Sequence, residues 1–471
     1  MINPNQINDA PKKPEVLVQP IPFPMPTIRQ AVLKKISLQL QPDKVVQKSA
    51  LTTDSGSVYE IGRVLKDAIY GHVYHAVLVL RLDNPSGAAP ADGTQVFART
   101  TPLQQVAIKV YSKQRIREYR GRTQEDPIKE LSSMQYLEDH PSIMSQLECV
   151  EDRDNIYSVM PFCDGGELYD IIEAKGAMSE EMARYYFAQI LQGFSYLQAR
   201  GVAHRDMSLE NIMFDSTGRC YIIDMGMCLR LPLPSCPLPG TVTSSSSSST
   251  GAVLTTQEQQ YAELNRVYQH QLHQLSSQFP GMPSPPSPGS SSSAQSMSPP
   301  PPPPPPIPTD ENDMDLDSMC EGETASVLSD VPRYQANAPV SSVVSIKIPC
   351  QGVCGKRNYI APEVLDNSAY FEPFCVDIWA LGIVLFIMLT GVPPVDTATA
   401  VDQRYRLICA GYLSNMLEQW GIKLSDEAVD LIKRILRPVP ADRLTLTEIM
   451  EHPWTRTVDG PNVTEVNANM K

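Results

Sequence analysis

The sequence predicts an α+β chain. Its first third carries strand-period segments, the remainder mainly helix-period ones, and a proline- and serine-rich stretch interrupts the second part. Strand alternation is clearest in Tyr59–Leu80, where Val73, His75, Val77 and Val79 share one face and Tyr74, Ala76 and Leu78 the other. Helical periodicity is clearest at Phe187, Ile190, Leu191, Phe194 and Leu197, which mark one buried face. The third observation is compositional: 43 of 471 residues are proline, many of them in two regions unable to pack a core. What remains foldable is about 300 residues, enough for one two-lobed enzyme.

Residues 1–57, rich in Pro, Gln and Ser, are expected to form a disordered tail. At most one or two helical turns are expected there, over Ile28, Val32, Leu33 and Ile36. A polar hairpin loop, Asn84–Gln95, follows the first strands. The next strand, Val106–Val110, places Lys109 inside an apolar run, which is costly unless an acid pairs with it. The following helix starts at Asp126-Pro127, carries the stripe Ile128, Leu131, Met134 and Leu137, and offers Glu130 as that acid. Tyr157–Cys163 reads as a buried strand running into a linker. Ser179 caps a long helix, with Glu180 and Glu181 in its positive first turn.

That helix delivers the chain to His204-Arg205-Asp206-Met207-Ser208-Leu209-Glu210-Asn211, followed by Asp224-Met225-Gly226. Between them, apolar Met213 and Phe214, a turn at Asp215–Gly218 and apolar Tyr221–Ile223 read as a short hairpin. The hairpin would bring Asp206, Asn211 and Asp224 together. Asn211 and Asp224 are oxygen ligands suited to Mg²⁺, a hard ion that also binds phosphate oxygens. Asp206 is then free to accept a hydroxyl proton, which is the arrangement phosphoryl transfer needs.

In order, Lys109, Glu130, the His204–Asn211 stretch, Asp224-Met225-Gly226, Ala361-Pro362-Glu363, Asp377-Ile378-Trp379-Ala380-Leu381-Gly382 and Arg443 resemble the landmarks of eukaryotic protein kinases. The resemblance covers about residues 58–231 and 346–456. It implies a serine/threonine kinase domain over 58–456, with a small β-rich N-lobe (about 58–160) carrying one main helix and a larger helical C-lobe (about 164–456). It implies ATP and Mg²⁺, with Lys109 on the phosphates and held by Glu130, Asp206 as base, and Asn211 and Asp224 on the metal. Around ATP it implies Leu65, Lys66, Ala68, Gly71 and Val73 from the glycine-rich loop, and Ala107, Met160, Pro161 and Cys163 at the adenine. Met213 and Ile223 would lie beneath the base and Glu167 at the ribose or at a basic substrate residue. His204, Arg205, Met225, Gly226, Asp377 and a Glu363–Arg443 pair would be structural. His452-Pro453-Trp454 resembles calmodulin-dependent-kinase-like members.

The departures are as informative. Lys66 and Ala68 replace the first two glycines of the loop, which should loosen the lid over ATP. Met225 replaces phenylalanine and is expected to pack beside Met134, Leu147 and His204. Ser208 stands where the family usually has a lysine that neutralises the transferred phosphate. Lys356 stands where the family usually has a threonine facing that lysine. Small and cationic residues look exchanged, so Lys356 is expected to reach past Ser208 to the phosphate and Asp206.

A Ser/Pro-rich and acidic insertion, 232–345, is expected to be disordered, and 457–471 to be a polar tail. The insertion holds eight consecutive prolines, Pro299–Pro306, a candidate ligand for SH3, WW or profilin-type domains. The alternative function is a pseudokinase scaffold working through that run. The net charge of −14 argues against nonspecific nucleic-acid binding and is compatible with a protein substrate basic around its phosphosite, met by Glu167 and Glu210. The ten cysteines show no zinc spacing and read as reduced thiols. The start of the chain does not read as a signal peptide, and the longest charge-free apolar run, Ile378–Leu389, reads as a buried helix rather than a membrane span. A cytoplasmic or nuclear location is expected.

Overall fold

The computed structural model describes residues 15–41, 44–82, 95–232 and 345–456, which belong to one packed unit. The insertion between them and the tail 457–471 lie outside the described residues. Strands β1 (Glu15–Leu17), β2 (Arg29–Gln41), β3 (Lys44–Thr53), β4 (Val58–Ala68), β5 (Gly71–Arg81), β6 (Val96–Arg99), β7 (Gln105–Ser112), β8 (Glu148–Glu151) and β9 (Asn155–Pro161) make the N-terminal part. All but β1 join one eight-stranded sheet in the order β3-β4-β5-β6-β2-β8-β9-β7. Because β3 also pairs with β2 and β5 with β7, the sheet closes on itself.

The disordered tail expected over 1–57 is therefore corrected where the chain is described. β2 and β3 form a long antiparallel hairpin, from Ala31↔Thr53 to Gln41↔Lys44, and β2 runs parallel to β6 and β8. Ile36, Leu38, Ala50 and Leu51 are buried against Val58, Val79, Phe97, Tyr59 and Ile108. The segment is polar in bulk because Lys34, Lys35, Lys44 and Lys48 lie on its exposed face. Ile36 and Leu38 alternate with period two and share the buried side of a strand. The helical spacing of Val32 and Leu33 was the misleading period, since both are exposed.

Gly71 is needed for packing. A Cβ there would lie 2.0 Å from the Val110 carbonyl oxygen, so only glycine lets β5 approach β7 at that point. Helices α1 (Lys113–Tyr119) and α2 (Pro127–Leu137) flank the sheet. Asp126 caps α2 by accepting from the Ile128 and Lys129 amides, and Pro127 occupies the first turn, where its missing N–H costs nothing.

The second part contains α3 (Leu168–Lys175), α4 (Glu180–Ala199), α5 (Pro362–Leu365), α6 (Pro373–Thr390), α7 (Gln403–Cys409), α8 (Leu413–Gln419), α9 (Asp426–Ile435), α10 (Leu446–Glu451) and α11 (Pro453–Arg456). Helix α6 is buried from Val376 to Leu389. Among the described residues it alone is long and apolar enough to cross a membrane, and here it is the core of the helical part. Trp454 is buried, with its indole N–H on Glu180 Oε2 (2.8 Å) and the Arg184 guanidinium over its ring.

Candidate active site

Lys109 lies in the centre of β7, opposite Val73 of β5 and Ser158 of β9. Its Nζ donates to Glu130 Oε1 of α2 at 2.6 Å, and the Tyr111 ring lies 5.4 Å from it. Burial disfavours the ammonium, but Glu130, Tyr111 and Asp224 together outweigh this and hold the Lys109 pKa well above the usual lysine range. The pair links the sheet to α2, as the sequence predicts.

The predicted hairpin is present as β10 (Ile212–Phe214) and β11 (Cys220–Ile222), with Asp215 capping its turn on the Thr217 and Arg219 amides. At its mouth Arg205 and Asp224 both adopt the left-handed backbone, φ 68° and 63°, which costs a non-glycine residue about 1–3 kcal/mol. Asp377 of α6 holds Arg205 in place by accepting from the backbone N–H groups of His204 (2.8 Å) and Arg205 (2.7 Å). The His204 ring bonds the Ile223 carbonyl at 3.0 Å, which ties the two loops together.

Asn211 Nδ2 donates to the Asp206 carbonyl (2.6 Å) and to Asp206 Oδ2 (3.2 Å), which leaves Asn211 Oδ1 as its acceptor for a cation. Asp224 Oδ1 accepts from the Gly226 amide. Burial tends to raise its pKa, but Lys109 and that amide bring it below the usual carboxylate range, so Asp224 is ionised. Asp206 is shifted upward, chiefly by burial and despite Lys356 and His204, as suits a proton acceptor. One ionised carboxylate and one amide oxygen side by side fit Mg²⁺.

The residues expected around adenine converge. Met160, Met213 and Ile223 pack against buried Cys163 in one apolar cluster with Met134 and Met144. Ala107 lies opposite Met160 across the β7–β9 pairing, and Pro161 ends β9. The β4–β5 hairpin that carries Lys66 and Ala68 has register shifts between Ile61 and Val64 and between Val64 and Lys66. β4 and β5 stay paired to Ala68↔Gly71, and buried Tyr70 at the tip bonds Thr123 Oγ1 (2.6 Å) and the Glu125 carbonyl (2.8 Å). Lys66 also forms an ion pair with Glu167, so both side chains are engaged with each other and Leu65 beside them is exposed. Tyr70 was missed in the sequence. Its signal was an aromatic residue at a turn tip, where glycine or a polar residue is usual.

Lys356 and Ser208 meet. The ammonium donates to Ser208 Oγ at 2.6 Å and stands 3.7 Å from Glu210 Oε2. Ser208 itself is fully buried. A further carboxyl that sequence reasoning missed is Glu125, which flanks Gly226 and is pushed up to about 7 by burial and by Asp224.

Behind the site, Met225 is buried and its turn (Met225–Met227) lies against α2. Leu147, expected beside it, is exposed instead. Arg443 and Glu363 form a buried two-point pair (2.7 and 2.6 Å), with Arg443 also stacked on Trp379.

A strand-rich part bearing a paired lysine is joined to a helical part bearing Asp206, Asn211 and Asp224, an arrangement suited to phosphoryl transfer. The protein kinase domain model matches residues 94–253 and 340–455, more than half of the chain, and the chain belongs to that family. Curated relatives include CBL-interacting protein kinase 9 of Oryza sativa subsp. japonica, 24% identical over 74% of this chain and 50% of its own length. CBL-interacting serine/threonine-protein kinase 9 of Arabidopsis thaliana is 22% identical over 84% of this chain and 57% of its own length. CBL-interacting protein kinase 1 of Oryza sativa subsp. japonica is 25% identical over 84% and 55%. The chain thus spans about half the length of the curated relatives it matches. The name of the Arabidopsis thaliana relative agrees with the serine/threonine reading of the sequence.

Proposed function

We propose that the protein is a serine/threonine protein kinase that transfers the γ-phosphate of ATP to a protein hydroxyl. The formed Lys109–Glu130 pair carries this reading, because it sets a buried cation where the phosphates of a nucleotide under β4–β5 would lie. Asp206 orients the acceptor hydroxyl and takes its proton. Asn211 and Asp224 would hold Mg²⁺, which when bound neutralises phosphate charge. The apolar cluster around Met160 and Cys163 receives the base and excludes water.

The carboxylates expected to meet a basic substrate already face lysines of this chain. Glu167 is paired with Lys66 and Glu210 faces Lys356, so a basic substrate residue would have to displace a lysine of the same chain. We therefore assign no strong preference for basic peptides. Pro299–Pro306 lies outside the described residues and is proposed only as a docking segment for proline-binding domains. The scaffold reading is not favoured, since the chain retains Lys109, Glu130, Asp206, Asn211 and Asp224 and its relatives are named as protein kinases.

The test is transfer from labelled ATP with magnesium to a generic protein substrate. Wild type should exceed Asp206→Asn by orders of magnitude. Equal, background-level transfer by the two would reject catalysis.

A further inference from the structure

The segment Val18-Gln19-Pro20-Ile21-Pro22-Phe23-Pro24-Met25-Pro26-Thr27 has a proline at every second position from Pro20 to Pro26. Each residue before a proline is held extended, so the chain is stiff before it meets anything. It is bonded to two segments that lie between Gly226 and Ala361 in the chain. β1 pairs in parallel with Ser345–Pro349 (β12), and the Val18 amide continues the ladder to the Lys347 carbonyl at 2.8 Å. The Ile21 amide donates to the Arg230 carbonyl at 2.8 Å, and Arg230 Nη1 returns a bond to the Pro22 carbonyl at 3.1 Å. One strap thus grips both described ends of the segment that runs from Asp224-Met225-Gly226 to Ala361-Pro362-Glu363.

The strap then crosses α2. Phe23, buried, packs edge-on against Tyr136 at 5.6 Å, and the Arg230 guanidinium sits 4.3 Å from the same ring. Gln135 exchanges two hydrogen bonds with the Thr27 backbone, at 2.8 and 3.0 Å. Ile28 packs with Tyr70, Tyr111 and Leu131, the neighbours of the lid tip, of Lys109 and of Glu130. Phe23 and Arg230 both contact Tyr136, so α2 is held near its C-terminal end, away from the turn that carries Glu130.

We infer that the strap Val18–Thr27 is a built-in clamp that holds α2, and with it Glu130, in the position that pairs with Lys109. Phe23 and Arg230 act as positioning residues through Tyr136. The clamp draws its stiffness from the prolines, so little chain entropy is lost when it docks. This inference rests on the kinase reading for its catalytic consequence but not for its structural one.

The experiment uses the full chain with Phe23→Ala, Arg230→Ala and, as the conservative control, Phe23→Tyr. Assays run below the melting temperature of every variant. Displacing Glu130 by an ångström should lower kcat on the order of tenfold to a hundredfold. The KM of the protein substrate should be nearly unchanged, and Phe23→Tyr should stay near wild type. Hydrogen exchange is read in parallel, and Phe23→Ala should speed exchange in Pro127–Leu137 as well as at the strap. Folded alanine variants with unchanged kcat would overturn the clamp. If wild type equals Asp206→Asn, the kinase reading fails alone and the exchange data decide. Unchanged exchange in Pro127–Leu137 would then overturn the clamp, and faster exchange would support it.

Discussion

Replacing Lys356 with alanine should reveal whether the phosphate-neutralising cation has moved. Its ammonium is 2.6 Å from Ser208 Oγ and 3.7 Å from Glu210, and its side chain is 38% exposed. Two unit charges about 6 Å apart, at an effective dielectric constant near 20, interact by about 3 kcal/mol. Each ~1.4 kcal/mol is tenfold in rate, so kcat should fall on the order of 10²-fold. Partial exposure and Glu210 place it at the lower end of the 10²–10³-fold range known for losing one electrostatic stabiliser. Lys356 also depresses the Asp206 pKa against the upward pull of burial, so its loss should move the acid limb of kcat/KM to higher pH. The decisive variant is the exchange Ser208→Lys with Lys356→Thr, which should recover much of the lost rate. Steady-state kinetics across pH measures all three. Lys356→Ala within a fewfold of wild type, or no recovery in the exchange, would refute the reasoning and leave Lys356 a solvated loop residue.

Three other outcomes follow from the same structure. A peptide array should show weak enrichment of Arg or Lys around the phosphosite, rising when Lys66→Ala frees Glu167; strong basic selectivity in wild type would contradict the Lys66–Glu167 pairing. Burial holds the Glu125 pKa at about 7 in the folded chain against 4.5 as its ordinary value, so its ionisation opposes folding increasingly as pH rises through that window. Glu125→Gln should accordingly raise Tm more at pH 8 than at pH 5, with equal gains at both counting against the shift. Arg443→Ala leaves Glu363 as a buried unpaired carboxylate and should cost about 3–5 kcal/mol in denaturant unfolding. Arg443→Lys should recover only part, because the two-point geometry needs a guanidinium.

Residues separated by short stretches of chain were legible in the sequence. Lys109 in its strand, the His204–Asn211 loop and the Asp215–Gly218 turn carry local signals in their own neighbourhood, and Asp206, Asn211 and Asp224 meet because one short hairpin joins them. The Glu130 pairing could be named because Lys109 inside an apolar strand demands a partner, and the Glu363–Arg443 pairing because the kinase resemblance implies it. Tertiary structure alone decided the rest. The residues from Arg29 to Thr53 are polar enough to read as a tail and become strands only because β6 and β8 offer β2 an open edge and an apolar face. Glu167 faces Lys66 because the β4–β5 hairpin is pinned by Tyr70. Phe23 finds Tyr136 because the strap must pass α2 on its way into the sheet. A local pattern reports the conformation a segment favours. Which surfaces meet depends on contacts between segments far apart in the chain, and those gain free energy only when the whole fold is assembled.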